Sequence, residues 1–408
     1  MKLTLLSLAI MISGFTDAQV FEVEQAIHPY FDIIEWKGMG ALLLSKDPSG
    51  NSKQINLTLV NEEKKSVWDQ KFSPKGKEYY FITSENARYV YFLNNLELEN
   101  GKVSLSQLNS AGNIKSTSIS IGAAIKKLKK YDYNRLELIN VVVTDKSLVH
   151  HFRYDDKSTK SIVDLAVFTT HHNFLSYAVE LGSVTKEAIN GTNYGHWQYV
   201  GFTGDQIFFA ARDFLRKKQG WSVKEYNSNG KTKIGVHFDA PQGLIAIENI
   251  GFGTTGSYYM EEKATVELGL LTYINSQFYL VGGQHGEGAS AEITLFQLIA
   301  NDWNVLNSMK LNYFIEKKNL KLGIYPMNEG VGYHLDHNGY NKVSIIYYDE
   351  KEGAPHNDFT KRTVYNPSSV FEQKNKQEFN VILPNGILNF DTSQLGEKGS
   401  VKFEIIEK

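Results

Sequence analysis

The chain has 408 residues, 42% hydrophobic and 22% charged, with a formal net charge of −2 and no cysteine. That charge balance offers nucleic acid no excess of cations, and the missing thiols exclude disulfides, cysteine nucleophiles and thiolate metal sites. The length supplies ample core for two or three small domains or one large all-β domain, and 23 Tyr and 23 Phe against 8 Pro favour β-structure.

Residues 1–18, MKLTLLSLAIMISGFTDA, carry one basic residue (Lys2), an apolar run from Leu3 to Phe15 and a small-residue ending at Ala18. This is the pattern of a secretory signal cut after Ala18. The run of about 13 apolar residues is shorter than the roughly 20 that span a bilayer. The expectation is a periplasmic or secreted protein whose residues 19–408 form a single domain. It has no lipid anchor, because no cysteine follows the cut, and no later apolar segment is long enough for a membrane span.

From there the chain repeats a pattern. An alternating apolar strand precedes a polar loop, a second strand follows, and a tight turn leads to another, as in RYVYFLNN, LELENGK, VSLSQLNSAG and NIKSTSISI. Counting the strand after the polar loop as the third of its unit, third strands begin near Ile55, Val103, Ile162, Trp221, Ile293, Val343 and Val401, at spacings of 48 to 72 residues. A further strand opens the units, as FDIIEW does before GALLLS and WQYVGF before QIFFAA. Four antiparallel strands per unit make the blade of a β-propeller, so the expected fold is all-β with seven blades, six blades and an array of β-sandwiches being the competitors.

The ends of the chain fit that ring. The last unit has EFNVILP, ILNFDTS and SVKFEIIE but no fourth strand, whereas VFEVEQA (20–26) precedes the first unit. An N-terminal strand that completes the last blade removes both free edges.

In a propeller the loop between second and third strands shares a face with the connector to the next blade. DDKSTK (155–160), QHGEGAS (284–290) and HNGYN (337–341) then meet the longest connector, about Asp239 to Lys263. Long segments on a rigid scaffold are where function concentrates. A second connector, IGAAIKKLKKYDYN, reads as a short helix with Ile125 and Leu128 inward and Lys126, Lys127, Lys129 and Lys130 outward.

Within the long connector, Gly251, Gly253 and Gly256 have the G-x-G-x-x-G spacing of a dinucleotide-binding turn. The required context is missing, since SYYMEEK follows where a closely packed helix is needed and no acid ends the next strand. No cofactor is expected. His334, Asp336 and His337 end a second strand in unit six, next in the ring to His285 and Glu287 of unit five. His334 and Asp336 share a strand face that His337 does not, so a closed metal set is not implied. The pairs His150-His151 and His171-His172 likewise point to opposite faces, and the second falls at the other end of the ring. No G-x-S-x-G elbow and no H-E-x-x-H occurs.

With no catalytic signature, the leading expectation is a non-enzymatic subunit that binds a protein partner in an outer-membrane or secretion assembly. Its binding face comprises Gly251, Gly253, Gly256, Tyr258, Tyr259, His285, Glu287, His334, Asp336, His337 and Tyr340. The alternative is a carbohydrate-binding or carbohydrate-cleaving propeller, for which Tyr258, Tyr259 and Tyr340 supply aromatic faces; a third reading is metal-dependent chemistry at His285, His334 and His337.

Overall fold

The structure, a computed structural model, describes residues 19–23, 30–36, 39–46, 54–61, 66–73, 80–83, 89–93, 100–128, 131–185, 196–213, 220–242, 244–245, 270–285, 291–310, 320–327, 330–337, 342–349, 354–360, 378–383, 386–391 and 401–407. Among them the strands form successive four-stranded antiparallel units: 30–72, 80–119, 136–185, 198–239, 270–310, 320–360, and 378–407 together with 19–23. The fold is an all-β propeller architecture. Third strands begin at Ile55, Val103, Ser161, Gly220, Ala291, Lys342 and Val401, all within two residues of the positions read from the sequence.

The last unit is completed from the other end of the chain. Gln19–Val23 lies antiparallel to Val401–Glu407, with Gln19 opposite Ile405 and Val23 opposite Val401. It is the outer strand of that sheet, as expected.

The core lies between neighbouring units. Along the third strand of unit three (Ser161–Thr170), Leu165 and Val167 pack towards unit two while Ala166 and Phe168 pack towards unit four. Unit two divides its residues likewise, Tyr91 and Leu93 meeting unit three while Val90 and Phe92 meet unit one. Because both faces are buried, these strands read as apolar runs, each buried large side chain contributing about 1.5–3 kcal/mol.

Between units two and three runs an α-helix, Ile121–Lys126, that buries Ile121, Ala124 and Ile125 and leaves Lys126 exposed. Leu128 packs partly against the same core. Among the described residues no helix is long and apolar enough to cross a membrane.

The turn between third and fourth strands of one unit repeatedly meets the outer strand of the unit before it. In unit two, Gly112 sits against Trp68 and Gln70 of unit one, and the Trp68 Nε1–H donates to the Ser110 carbonyl at 3.0 Å. In unit three, Phe174 lies under the Lys115 ammonium at 4.9 Å. In unit four, Gly230 packs on Val179 and Phe168, and beside the unit-five turn the Trp303 Nε1–H donates to the Asp239 carbonyl at 2.6 Å.

Two of these turns share a motif, Asn109-Ser-Ala-Gly-Asn113 and Asn227-Ser-Asn-Gly-Lys231. Each Asn side-chain oxygen accepts from the backbone N–H groups two and four residues on, at 2.9–3.1 Å. Each glycine has positive φ (83° at Gly112, 72° at Gly230) and donates back to the Asn carbonyl. An Asn that caps its own turn and a glycine that tolerates left-handed backbone are what such a corner requires.

Units four and five are joined more closely than the other described units. Their first strands touch in a parallel pairing at Gly201 and Tyr273. Gly201 has φ 148°, and a Cβ there would stand 2.2 Å from the Tyr273 carbonyl oxygen, so glycine is what allows the approach. Beyond this point Leu244 and Ile245 pair with Gln284 and Gly283 of unit five's second strand (Gln277–His285). The connector leaving unit four therefore begins inside the sheet, extending the first-strand position of unit five (Leu270–Ile274).

Candidate functional site

The residues expected on the binding face divide into two groups. His285 is the last residue of its strand, opposite Ala291. His334, Asp336 and His337 close the second strand of unit six (Gly330–His337), where Asp336 pairs with Lys321 and Val343 and His337 with Leu320 and Lys342. The first strand of unit six (Leu320–Met327) packs beside the first two strands of unit five, so these positions end second strands of adjacent units. Gly251, Gly253, Gly256, Tyr258, Tyr259, Glu287 and Tyr340 lie outside the described residues.

A group that sequence reasoning did not assemble lies between units three and four. Asp164, on the third strand of unit three, is fully buried. Its Oδ1 is 3.3 Å from the Arg153 Nε and 3.4 Å from the His151 Nε2, both on the second strand (Ser147–Asp156). Its Oδ2 accepts the Trp197 backbone N–H at 3.0 Å and lies 3.3 Å from the His196 Nδ1, where the connector reaches unit four. The side-chain distances exceed the usual 2.7–2.9 Å of charge-assisted bonds, so one carboxylate sits inside a loose ring of donors.

Burial opposes the charge on Asp164, but the donors His151 and His196 outweigh it and hold the carboxyl well below the usual carboxylate range. His151 is buried and its ring meets Phe209 of unit four edge-on at 6.0 Å. Arg153 and His196 keep 25% and 21% of their side chains exposed, and these are the two members of the group that solvent reaches. The sequence signal was Asp164 itself, a lone acid in the apolar run SIVDLAVF.

Trp197 ties this group to unit four. The Lys224 ammonium lies 4.5 Å above its ring and donates to the Leu181 carbonyl, and burial lowers the Lys224 pKa.

The paired histidines face opposite ways, as the strand period requires. His151 turns to Asp164, whereas His150 stacks on Phe152 (centroids 6.0 Å apart, 7° between planes), has no hydrogen-bond partner and is pushed down to about 3 by burial. His171, in the turn at the other end of the ring, lies 2.6 Å from the Tyr91 hydroxyl through Nδ1 and 2.8 Å from the Thr144 carbonyl through Nε2. A carbonyl accepts only, so Nε2 carries the proton and Nδ1 accepts from Tyr91. Among the described residues no set of three or more His, Asp or Glu side chains is arranged to hold a metal ion.

No family model matches the chain, and no curated protein matches it in sequence. Solved structures do resemble it. An oligogalacturonate lyase from Vibrio parahaemolyticus is 11% identical with a TM-score of 0.49 over 97% of this chain and 95% of the other. An oligogalacturonate lyase in complex with manganese gives 10% and 0.47 over 96% and 94%. The β-propeller domain of the Trilobed protease from Pyrococcus furiosus, described as having an open velcro topology, gives 8% and 0.45 over 94% and 96%. At such identities no residue role carries across.

These findings correct the leading expectation from the sequence. The similar structures include an oligogalacturonate lyase and a polysaccharide lyase, which are enzymes, and an acylaminoacyl peptidase of which this chain covers 49%. The reading as a non-enzymatic, protein-binding subunit is therefore set aside. It rested on the lack of a linear catalytic motif, which a site assembled from separate units does not leave.

Proposed function

We propose that the chain is an exported, seven-bladed, carbohydrate-cleaving propeller that works at the end of the ring where second strands finish and connectors arrive. The observation that supports this reading is the pair of Asp164 and His196. A buried carboxylate that accepts from Nδ1 fixes the imidazole's orientation and tautomer and leaves Nε2 to exchange a proton with a substrate. Arg153, part-exposed on the same carboxylate, suits a sugar that carries its own negative charge. On a uronate chain, removal of the C5 proton and departure of the C4 oxygen with a proton breaks the glycosidic bond by elimination, consuming no water. His285, His334, Asp336 and His337 belong to the same end in this proposal.

The test is incubation of the protein, from Gln19 onwards, with polygalacturonate, alginate and a neutral glucan, following ultraviolet absorbance of the unsaturated product and new reducing ends. Absorbance that grows only on the uronate polymers supports the proposal. Reducing ends without absorbance mean hydrolysis, and silence on every polymer removes the cleavage reading.

A further inference from the structure

The junction that brings Gly201 against Tyr273 also opens a cleft of about 380 Å³ between units four and five. It borders the turns between first and second strands and so lies at the opposite end of the ring from Asp164. Its volume is at the low end of the ~300–1,000 Å³ of small-molecule sites.

Three rings form its apolar part. Phe208 and Tyr273 stand 4.1 Å apart at 36°, and Phe278 meets Tyr273 edge-on at 4.7 Å and Phe208 at 5.5 Å. Phe278 and Tyr273 are only partly buried, so ring surface remains open to the cleft. Burial raises the Tyr273 pKa, and its hydroxyl is hydrogen-bonded to Ser276 on the turn, where Asn275 and Ser276 both have positive φ.

The polar wall is Glu225. Its Oε1 accepts from the Gln206 side-chain N–H at 2.7 Å and pairs with the Lys233 ammonium at 3.2 Å. Both partners meet the same oxygen, which orients the carboxylate and leaves Oε2 as an acceptor. Aromatic faces beside a fixed carboxylate match a pyranose, whose C–H face lies on rings while its hydroxyls donate to oxygen. Lys233 offsets that charge only in part, because its side chain is half-exposed and screened by water, so the more deeply buried carboxylate disfavours a uronate, whose charge repeats its own.

We propose that the cleft between Phe208, Tyr273, Phe278 and Glu225 binds one uncharged hexopyranose unit, separately from any acidic substrate at the other end. The proposal stands whether or not the chain cleaves carbohydrate.

Saturation-transfer NMR with the methyl glycosides of glucose, galactose and mannose, and with galacturonate, tests it on the protein from Gln19 onwards. At least one neutral glycoside is expected to bind and galacturonate not to. Glu225→Gln and Phe278→Ala should each weaken that binding at least about tenfold, and Glu225→Gln serves if Phe278→Ala does not fold. Binding of none of the neutral glycosides, or binding indifferent to Glu225→Gln in a protein with unchanged melting temperature, would overturn the proposal.

Discussion

Gly182 lies against the Trp197 indole, so close that a Cβ on Gly182 would stand 2.2 Å from Nε1 and 2.9 Å from Cδ1. Gly182 is also the cross-strand partner of Asp164, and the Lys224 ammonium covers the indole at 4.5 Å. The ring touches both residues, with little room to yield. Gly182→Ala is expected to cost about 1–3 kcal/mol in urea unfolding through overpacking, and Lys224→Met to reduce that cost by letting the indole shift. An unchanged midpoint for Gly182→Ala would contradict this close packing.

Removing the Asp164 charge leaves three side-chain donors and the Trp197 backbone N–H facing a neutral amide. Asp164→Asn should destabilise the fold by about 3–5 kcal/mol, the range for stranding one side of a buried ion pair, as measured by urea titration. His196→Gln, at a part-exposed site, should lower the melting temperature little. If the cleavage proposal holds, it should reduce kcat at least about 100-fold, the lower range for a general acid–base group. Arg153→Gln should act mainly on KM for uronate polymers.

His150 makes stability fall in acid. Burial without a partner pushes its folded pKa to about 3, below the ordinary 6.5, so the folded state resists a proton that the unfolded chain accepts. Its contribution is fully present above 6.5 and is lost as pH falls towards 3, at up to about 1.4 kcal/mol per pH unit. His150→Leu should flatten the stability profile between pH 6 and 4. Equal slopes in the two proteins would contradict this account.

Gly230, in the second Asn-Ser-x-Gly corner, and Gly204, in the turn between the first two strands of unit four, allow backbone strain to be separated from packing. Gly230→Ala meets both a left-handed φ of 72° and the Val179 Cγ1 at 2.8 Å, whereas Gly204 has φ 54° and nothing within 4 Å of a new Cβ. Gly204→Ala should cost about 1–2 kcal/mol, the left-handed penalty alone. Gly230→Ala should cost more, the difference measuring how tightly the turn of unit four grips unit three.

The sequence made the framework legible wherever a local rule decided it. Alternation located the third strands, and the unmatched runs at the two ends of the chain foretold that an N-terminal strand completes the last unit; the register that sets Val20 opposite Glu404 came only with the structure. The grip of one unit on the next was not legible, because Trp68 and Ser110, 42 residues apart, form a contact that only the ring creates. The corner motif was in plain view at Asn109 and Asn227, and it became a motif only when its carbonyls and glycines proved to do the same work. For the site, pattern reading found the ends of strands. Asp164 escaped because its partners His151 and His196 come from either side of it in the chain and meet only where two sheets pack.

The pairing of Gln19–Val23 with Val401–Glu407 also decides how the molecule answers to mechanical tension. The strands are antiparallel and Gln19 lies opposite Ile405, so both chain ends leave the seam at the same side. A pull on the two ends therefore peels the seam one hydrogen bond after another, starting at Gln19, instead of loading all the bonds together in shear. The ring is fastened by a zipper whose two tabs lie side by side, and force applied at the termini should open this sheet before it disturbs any other.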